Sequence, residues 1–170
     1  HESAATKSLN VFAMPRMEKF LRNNGPWSQL VDYKNIEISP LADQVLVELA
    51  GGIKVKPYQV PHRDEFSETV AFEVKSSKKS VLFLPDIDNW AKWKSEYGHS
   101  LQERVAAVDL AFLDATFFDN NELPGRDMSE IPHPRIVETM EVFDNLPVSE
   151  KDKVYFIHLN HTNPARFFTS

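Results

Sequence analysis

The stretch Ser80-Val-Leu-Phe-Leu-Pro-Asp-Ile-Asp88 divides the chain into two kinds of pattern. It is a short apolar run, typical of a buried strand, followed by a proline and two carboxylates. Upstream, short alternating segments between turn residues predict a meander of antiparallel strands over residues 10–84. Downstream, strands alternate with helical segments, which is typical of βαβ units. The pattern therefore predicts an α/β fold: one domain over residues 1–170, or one part of a larger domain.

The predicted elements are short and follow one another without a linker or an internal repeat. Strands are predicted at 10–14, 36–38, 45–49, 53–60, 69–74, 80–84, 108–115 and 154–159, and helices at 15–23, 89–97, 101–107 and 134–145. The last helix is expected to turn Ile136, Val137, Met140 and Phe143 toward the core.

Composition limits the classes of partner. The 170 residues include 25 Asp and Glu against 19 Lys and Arg, a formal charge of −6, which argues against a nucleic-acid surface. Cysteine is absent, so disulfides and thiolate metal ligands are excluded. No apolar run approaches the roughly 20 residues that span a bilayer. A soluble protein acting on a small molecule is expected, with cytoplasm and periplasm both left open.

Polar residues stand at the ends of the predicted strands, where they suggest a metal site. His62 follows a strand end, Asp86 follows the apolar run that begins at Ser80, and His158 interrupts the apolar run at 154–159. Imidazole and carboxylate are ligands that suit zinc, iron or manganese. Each position alone has an ordinary alternative: an exposed loop histidine, a helix cap (a role that fits Asp88 better) and a satisfied core side chain. Together they favour a metal site.

Three further residues are candidates with open alternatives. His133 lies between two prolines directly before a predicted helix, which suits a neutral imidazole acting on a substrate proton, or a turn histidine without a role. Asp114 ends a buried strand, where it either orients a ligand histidine or caps a turn. His161, three residues after His158, either shares the site or lies in the exit loop.

Four segments carry a resemblance to a known family. They are Val11-Phe-Ala-Met-Pro-Arg-Met17, Val60-Pro-His-Arg-Asp-Glu-Phe-Ser-Glu-Thr-Val70, Asp114-Ala-Thr-Phe-Phe118 and Phe156-Ile-His-Leu-Asn-His-Thr-Asn-Pro164. At these residues the chain resembles the metallo-β-lactamase superfamily, and most of all the branch that contains the coenzyme PQQ synthesis B proteins and their hydrolase-like relatives. The resemblance implies an αββα sandwich, of which this chain would form the C-terminal portion.

The resemblance also implies a role for each candidate. His62 and His158 would each bind one of two metals, and Asp86 would bridge them. His133 would act as general acid near the leaving group. His161 has no firm counterpart in the family, and Asp114 and His161 are kept as candidates for residues that support the ligands from behind. The implied cofactor is a divalent metal, zinc, with manganese or iron as alternatives, at two ions per complete site.

One motif of the superfamily is missing. Its His-x-His-x-Asp-His motif, which supplies about half of the ligands, normally lies upstream of Val11 and has no counterpart in this chain. We therefore expect the N-terminal half of the same protein to complete the site and to cover a sheet face that would otherwise be exposed. A degenerate member of the family is the alternative, and self-association into a homo-oligomer is left open.

Three functions follow from the resemblance. The first is a metallohydrolase in which a metal-bound hydroxide attacks an ester, amide or phosphodiester. The second is an iron-dependent oxygenase of the kind used in pyrroloquinoline quinone biosynthesis. The third is a non-catalytic binding module that keeps the fold without the site.

Overall fold

Two sheets of unequal size organise residues 8–167, the part of the chain that the structure, a computed structural model, describes. The elements are β1 (Leu9–Ala13), α1 (Pro15–Asn23), α2 (Trp27–Asp32), β2 (Ile36–Pro40), β3 (Val47–Glu48), β4 (Lys54–Gln59), β5 (Val70–Lys75), β6 (Ser80–Leu84), α3 (Trp90–Tyr97), α4 (Leu101–Ala106), β7 (Leu110–Asp114), α5 (Ile136–Val142), α6 (Val148–Lys151) and β8 (Val154–Ile157). Short 3₁₀ turns lie at Ala50–Gly52, Met128–Glu130 and Pro164–Phe167.

The larger sheet has six strands in the order β3-β4-β5-β6-β7-β8. The first four strands pair antiparallel, and β6, β7 and β8 pair parallel. Helices α3 and α4 connect β6 to β7, while α5 and α6 connect β7 to β8, as parallel neighbours require. The change of pattern predicted at Ser80 is therefore confirmed, because β6 is the strand at which the pairing changes.

The smaller sheet corrects the prediction of an antiparallel meander at its start. β1 and β2 pair parallel, with Leu9 opposite Ile36. The chain returns through α1 and through α2, a six-residue helix that was not predicted. Ala13, Ile36 and Ile38 form a small core between this sheet and the two helices. Two helices in the connection give the chain the length that a parallel crossover needs.

The helix predicted at 134–145 is shorter and turned differently. It begins at Ile136, because Arg135 keeps an extended backbone as its N-cap. The buried side then falls on Ile136 and Thr139, whereas Met140 is 54% exposed, so its predicted core position is wrong. The buried Thr139 hydroxyl is satisfied, because it accepts a 2.9 Å hydrogen bond from the Trp90 indole.

The two faces of the larger sheet differ in how they are covered. On one face, alternate residues of β6 and β7 such as Leu82 and Leu113 are buried against α3, α4 and the end of α5. The other face, which we call the open face, carries two rows of apolar residues across neighbouring strands. The rows are Val47, Val55, Val74, Val81 and Leu110, and Pro57, Phe72, Phe83, Phe112 and Tyr155, of which Pro57 alone is fully buried.

Parallel pairing brings the carboxyl ends of β6, β7 and β8 to one edge of the sheet. Asp86 lies just beyond β6, Asp114 ends β7, and His158 follows β8. The fold therefore collects these three residues at one place. Among the helices between residues 8 and 167, none has the length and apolar character that a membrane crossing demands.

Candidate metal centre

Four side chains converge where the parallel strands end. Asp86, Asp114, His133 and His158 each offer one nitrogen or oxygen atom, and these atoms all lie within 4.8 Å of one another. His133 reaches the group from the long connection between β7 and α5 rather than from a strand. The group combines two carboxylates and two imidazoles.

His62 adds a third imidazole beside Asp86. Its Nε2 lies 3.1 Å from Asp86 Oδ1, and His133 Nδ1 lies 3.4 Å from the same oxygen. Although it is buried, Asp86 Oδ1 makes no hydrogen bond with any residue between 8 and 167. A buried carboxylate oxygen in this state is unfavourable unless something absent from the protein atoms compensates it.

The bonding of His62 explains why Asp86 Oδ1 lacks a donor. His62 Nδ1 forms a 3.2 Å hydrogen bond with Asp88 Oδ1, so we assign the ring proton to Nδ1. Nε2 then presents a lone pair to Asp86 Oδ1. Two lone pairs 3.1 Å apart repel each other unless a cation lies between or beside them.

Asp88 is not the helix cap that the sequence predicted. Asn89 caps α3, and its side chain accepts a 2.8 Å hydrogen bond from the backbone N–H of Lys92. Asp88 instead contacts His62 and accepts a 2.7 Å bond from Lys92 Nζ. The cap lies one residue later than predicted, which frees the Asp88 carboxylate to face the site.

Asp114 is fully buried, and both of its oxygens are hydrogen-bonded. Oδ2 accepts from His133 Nδ1 at 2.8 Å and from the backbone N–H of Ile87 at 3.1 Å. Oδ1 accepts from the backbone N–H and the hydroxyl of Thr116, at 2.9 and 2.7 Å. These four bonds fix the carboxylate, and the bond to Nδ1 sets the orientation of the His133 ring. Nε2 of His133 is not bonded to Asp114.

Thr116, which the sequence analysis did not single out, orients His158. Because its hydroxyl proton goes to Asp114, Thr116 Oγ1 accepts from His158 Nδ1 at 2.9 Å. Nε2 of His158 is then free to bind a metal. His158 has a backbone φ of 62°, an uncommon conformation for a residue other than glycine. Its position is directly after β8, so the predicted strand at 154–159 ends two residues early.

Arg135 holds the segment that carries His133 and was also missed. It is 3% exposed and donates to the backbone carbonyls of Met128, Ile131 and His133. Its Nε bonds the Asn120 side chain at 3.0 Å. Since no carboxylate pairs with this guanidinium within the described range, its role is to fix the backbone around His133.

A cleft of about 540 Å³ adjoins the centre. Its lining includes sequence neighbours of the site histidines: Arg63, Ile131, Pro132, Asn160 and His161. Phe117 joins the cleft to the centre, since its ring lies 6.0 Å from that of His133. His161 thus lies outside the group of four, exposed in the cleft, with Nδ1 3.1 Å from the Asn160 side chain. The remaining lining residues are Leu123, Arg126, Asp127 and Glu130.

The donor set fits a divalent cation. Two imidazoles and two carboxylates lie close together, and the His62 imidazole contacts Asp86 beside them. Neither Asp86 nor Asp114 is paired with a Lys or Arg anywhere in residues 8–167. Nitrogen and oxygen donors of this kind suit zinc, manganese and iron. The unbonded Asp86 Oδ1 and the free Nε2 atoms of His62 and His158 are the atoms available for it.

Comparison with known proteins places the chain in a family. A model described as "Beta-lactamase superfamily domain" matches residues 2–159. Coenzyme PQQ synthesis protein B from Gluconobacter oxydans (strain 621H) is 29% identical over 105 residues, which cover 59% of this chain and 32% of that protein.

Solved structures agree on the fold. Zn²⁺-bound PqqB from Methylobacterium extorquens superposes with a TM-score of 0.68 at 15% identity, covering 92% of this chain and 56% of that one. A diphosphatase of the PhnP family gives 0.58 at 19% identity, covering 98% and 53%. Unliganded yeast PDE1 gives 0.59 at 11% identity, covering 92% and 50%. The matched residues span about a third of the length of the curated relative and about half of these structures.

Proposed function

The chain belongs to the beta-lactamase superfamily, and on that premise we propose that it carries one half of a metallohydrolase site. One observation carries the proposal. Asp86 Oδ1 is buried, has no hydrogen bond within residues 8–167, and faces imidazole nitrogens of His62 and His133 at 3.1 and 3.4 Å. A cation is the partner that such an oxygen lacks.

We propose His62, Asp86 and His158 as the metal-holding residues. Asp86 lies close to both histidines and is proposed to be shared by two ions, while His62 and His158 would each hold one. The ion is proposed to be zinc, because the similar fold of PqqB from Methylobacterium extorquens was solved with Zn²⁺ bound, and manganese or iron are the alternatives. A bound divalent metal supplies an activated water and polarises the bond to be cleaved.

His133 is proposed to donate the proton that the leaving group needs. Its Nδ1 is held by Asp114 at 2.8 Å, which leaves Nε2 to carry the transferred proton. The buried Asp114 carboxylate fixes the orientation of the ring. Arg135 holds the surrounding backbone through its bonds to the carbonyls of His133 and Met128.

The adjoining cleft is proposed to hold a small-molecule ester, amide or phosphodiester. Its apolar wall includes Phe117 and Ile131, and Arg63 and Arg126 lie on its polar side. The diphosphatase and phosphodiesterase names of two structural neighbours favour a phosphodiester as the first substrate to assay.

An iron-dependent oxygenase is the second candidate. His62, Asp86 and His158 amount to two imidazoles and one carboxylate, the ligand set found in many non-haem Fe(II) oxygenases. The curated relative, coenzyme PQQ synthesis protein B, lends this reading support. Metal analysis separates the two: zinc or manganese with phosphodiesterase turnover supports the hydrolase, and iron with oxygen consumption supports the oxygenase. A complete protein that purifies without metal and binds none would contradict both and favour a binding module.

Two histidine variants of the complete protein test the proposed roles. His133→Ala should lower kcat on a chromogenic phosphodiester by about 10²–10⁴-fold and leave the metal content unchanged, because it moves a proton. His158→Ala should instead lose metal, because its Nε2 is the free donor at the end of β8. Turnover and elemental analysis are measured on the same preparations, with Asp109→Asn, at the opposite end of β7, as the control. Equal metal loss in both histidine variants would make His133 a ligand.

The number of metal ions bound by the 170-residue chain alone is a further test. Three proposed ligands shared between two ions leave each ion with an incomplete shell, so a tightly bound pair is not expected. Elemental analysis after dialysis should show less than two ions per chain. Two ions at full occupancy would show that the chain needs no further ligands.

A further inference from the structure

Two carboxylates separated by one residue face the two ring nitrogens of His62. Asp86 Oδ1 lies 3.1 Å from Nε2, and Asp88 Oδ1 lies 3.2 Å from Nδ1. Only the contact with Asp88 has hydrogen-bond geometry. One side of the ring is therefore bonded to the protein, while the other faces the centre.

The backbone between the two carboxylates is held from both sides. Ile87 is fully buried in the main core, and its N–H donates to Asp114 Oδ2 at 3.1 Å. The N–H of Asp88 donates to the carbonyl of Pro61 at 2.7 Å, directly before His62. Ile87 lies in the core, while the carboxylates of both neighbours contact the histidine.

The Asp88 carboxylate is itself fixed. Its second oxygen accepts a 2.7 Å bond from Lys92 Nζ, one turn into α3. The Asp88 side chain is 15% exposed and that of His62 is 13% exposed, so little water competes for the bond between them. A hydrogen-bonded series thus runs from Lys92 through Asp88 to the His62 ring.

We propose that Asp88 is a positioning residue that sets the tautomer and the rotation of His62. By accepting the proton of Nδ1, it leaves Nε2 as a lone pair directed at Asp86, where the proposed metal would bind. A carboxylate behind a ligand histidine also raises the donor strength of the ring. This inference depends on the proposed metal site, and its test distinguishes the two.

The tautomer is measured first, without metal. Long-range ¹H–¹⁵N spectra of the metal-free complete protein should show His62 protonated at Nδ1. In Asp88→Ala the ring should shift toward the Nε2-protonated form or a mixture. A side chain with a merely structural role would leave this signature unchanged, so an unaltered tautomer in Asp88→Ala overturns the inference.

Zinc affinity is measured next, by competition with a chromophoric chelator. Asp88→Ala should weaken zinc binding by about 10–100-fold, and Asp88→Asn, which keeps an acceptor oxygen, should give a smaller loss. The control is Asp109→Ala, since Asp109 also pairs with a lysine, Lys79 at 3.0 Å, but at the other end of β7. It should leave zinc affinity unchanged. Asp88→Asn provides the comparison by itself where the alanine variant fails to fold.

His62→Ala separates the two possible failures. If it leaves zinc affinity unchanged, the proposed metal site is wrong. If it weakens zinc binding while both Asp88 variants bind like the parent protein, the metal site stands and the positioning role of Asp88 is wrong.

Discussion

The two faces of the six-stranded sheet differ both in composition and in coverage. The covered face carries Lys54, Lys56, Glu73 and Lys75 beside its core residues, whereas the open face carries two apolar rows. Leu82 and Phe83 are neighbours on β6 and point to opposite faces. Leu82 is 1% exposed beneath the helices, whereas Phe83 on the open face is 44% exposed. A sheet that keeps one face in water normally alternates apolar with polar residues. The open face is therefore the more apolar of the two, although it is the less covered.

We propose that a second β-layer covers the open face in the complete protein. Its two rows of apolar residues suit the inner side of a sandwich, in which two sheets pack face to face. Phe112 and Tyr155 already stack at 5.4 Å, so the surface is ordered before anything covers it. The N-terminal half of the same protein is the proposed occupant, and a second copy of the chain is the alternative.

The largest expected effect on stability comes from truncating one side chain on each face of the sheet in the 170-residue chain. Leu82→Ala should lower the free energy of unfolding by about 2–5 kcal/mol, because it leaves a cavity in the main core. Phe83→Ala should cost only about 0.5 kcal/mol, as is usual for surface positions. Urea unfolding of both variants measures the contrast. Equal losses would mean that the open face is already covered in solution, for example by a second copy.

In the complete protein, Leu82→Ala and Phe83→Ala should lower the free energy of unfolding by more nearly equal amounts. Once a second layer buries Phe83, its truncation should cost about 3 kcal/mol, the range seen for buried phenylalanine. Leu82→Ala should keep the cost it has in the short chain. If Phe83→Ala remains nearly neutral in the complete protein, the proposed second layer does not lie on this face.

A smaller effect, the pH dependence of stability, is expected from a histidine on the covered face. His99 is buried there, with its ring edge-on to Tyr58 and Trp93 at 5.1 and 5.5 Å. Burial, and secondarily the Arg104 guanidinium, lower the pKa of His99 from its ordinary value of 6.5. The unfolded chain then binds a proton that the folded chain does not. Stability is full above pH 6.5 and falls as the pH drops from there toward the lowered folded-state pKa.

The His99→Gln variant measures this contribution. Its loss of unfolding free energy between neutral and mildly acidic pH should be smaller than that of the parent chain. His161→Gln, at an exposed side chain in the cleft, is the matched control and should keep the parental slope. Parallel pH profiles for the parent and His99→Gln would show that the buried ring does not couple folding to protonation.

The sequence predicted the covered face and the parallel strands well, because an apolar run such as 80–84 has few other uses. It did not predict α2, because Trp27, Leu30 and Val31 have helical spacing but the six residues of the helix are too few to establish a period. Nor did it predict the exposure of Met140, which depends on the start of α5 after Arg135. The residues selected at strand ends are the ones the structure brings together, although their roles as ligands stay predictions. Thr116, Arg135 and the bond of Asp88 to His62 were missed, because side-chain partners arise from tertiary contacts that spacing does not encode.

Retention of Asp114 and retention of Asp86 in related chains would indicate different things. Asp114 accepts four hydrogen bonds, from the His133 side chain, the Ile87 backbone and Thr116, and so joins three segments of the fold. Loss of this carboxylate would leave the donors of three segments without their shared acceptor, whether or not the site is active. Asp86 Oδ1 makes no such bond within residues 8–167. In any related chain, retention of Asp114 therefore reports the architecture, and retention of Asp86 reports that selection still acts on the site.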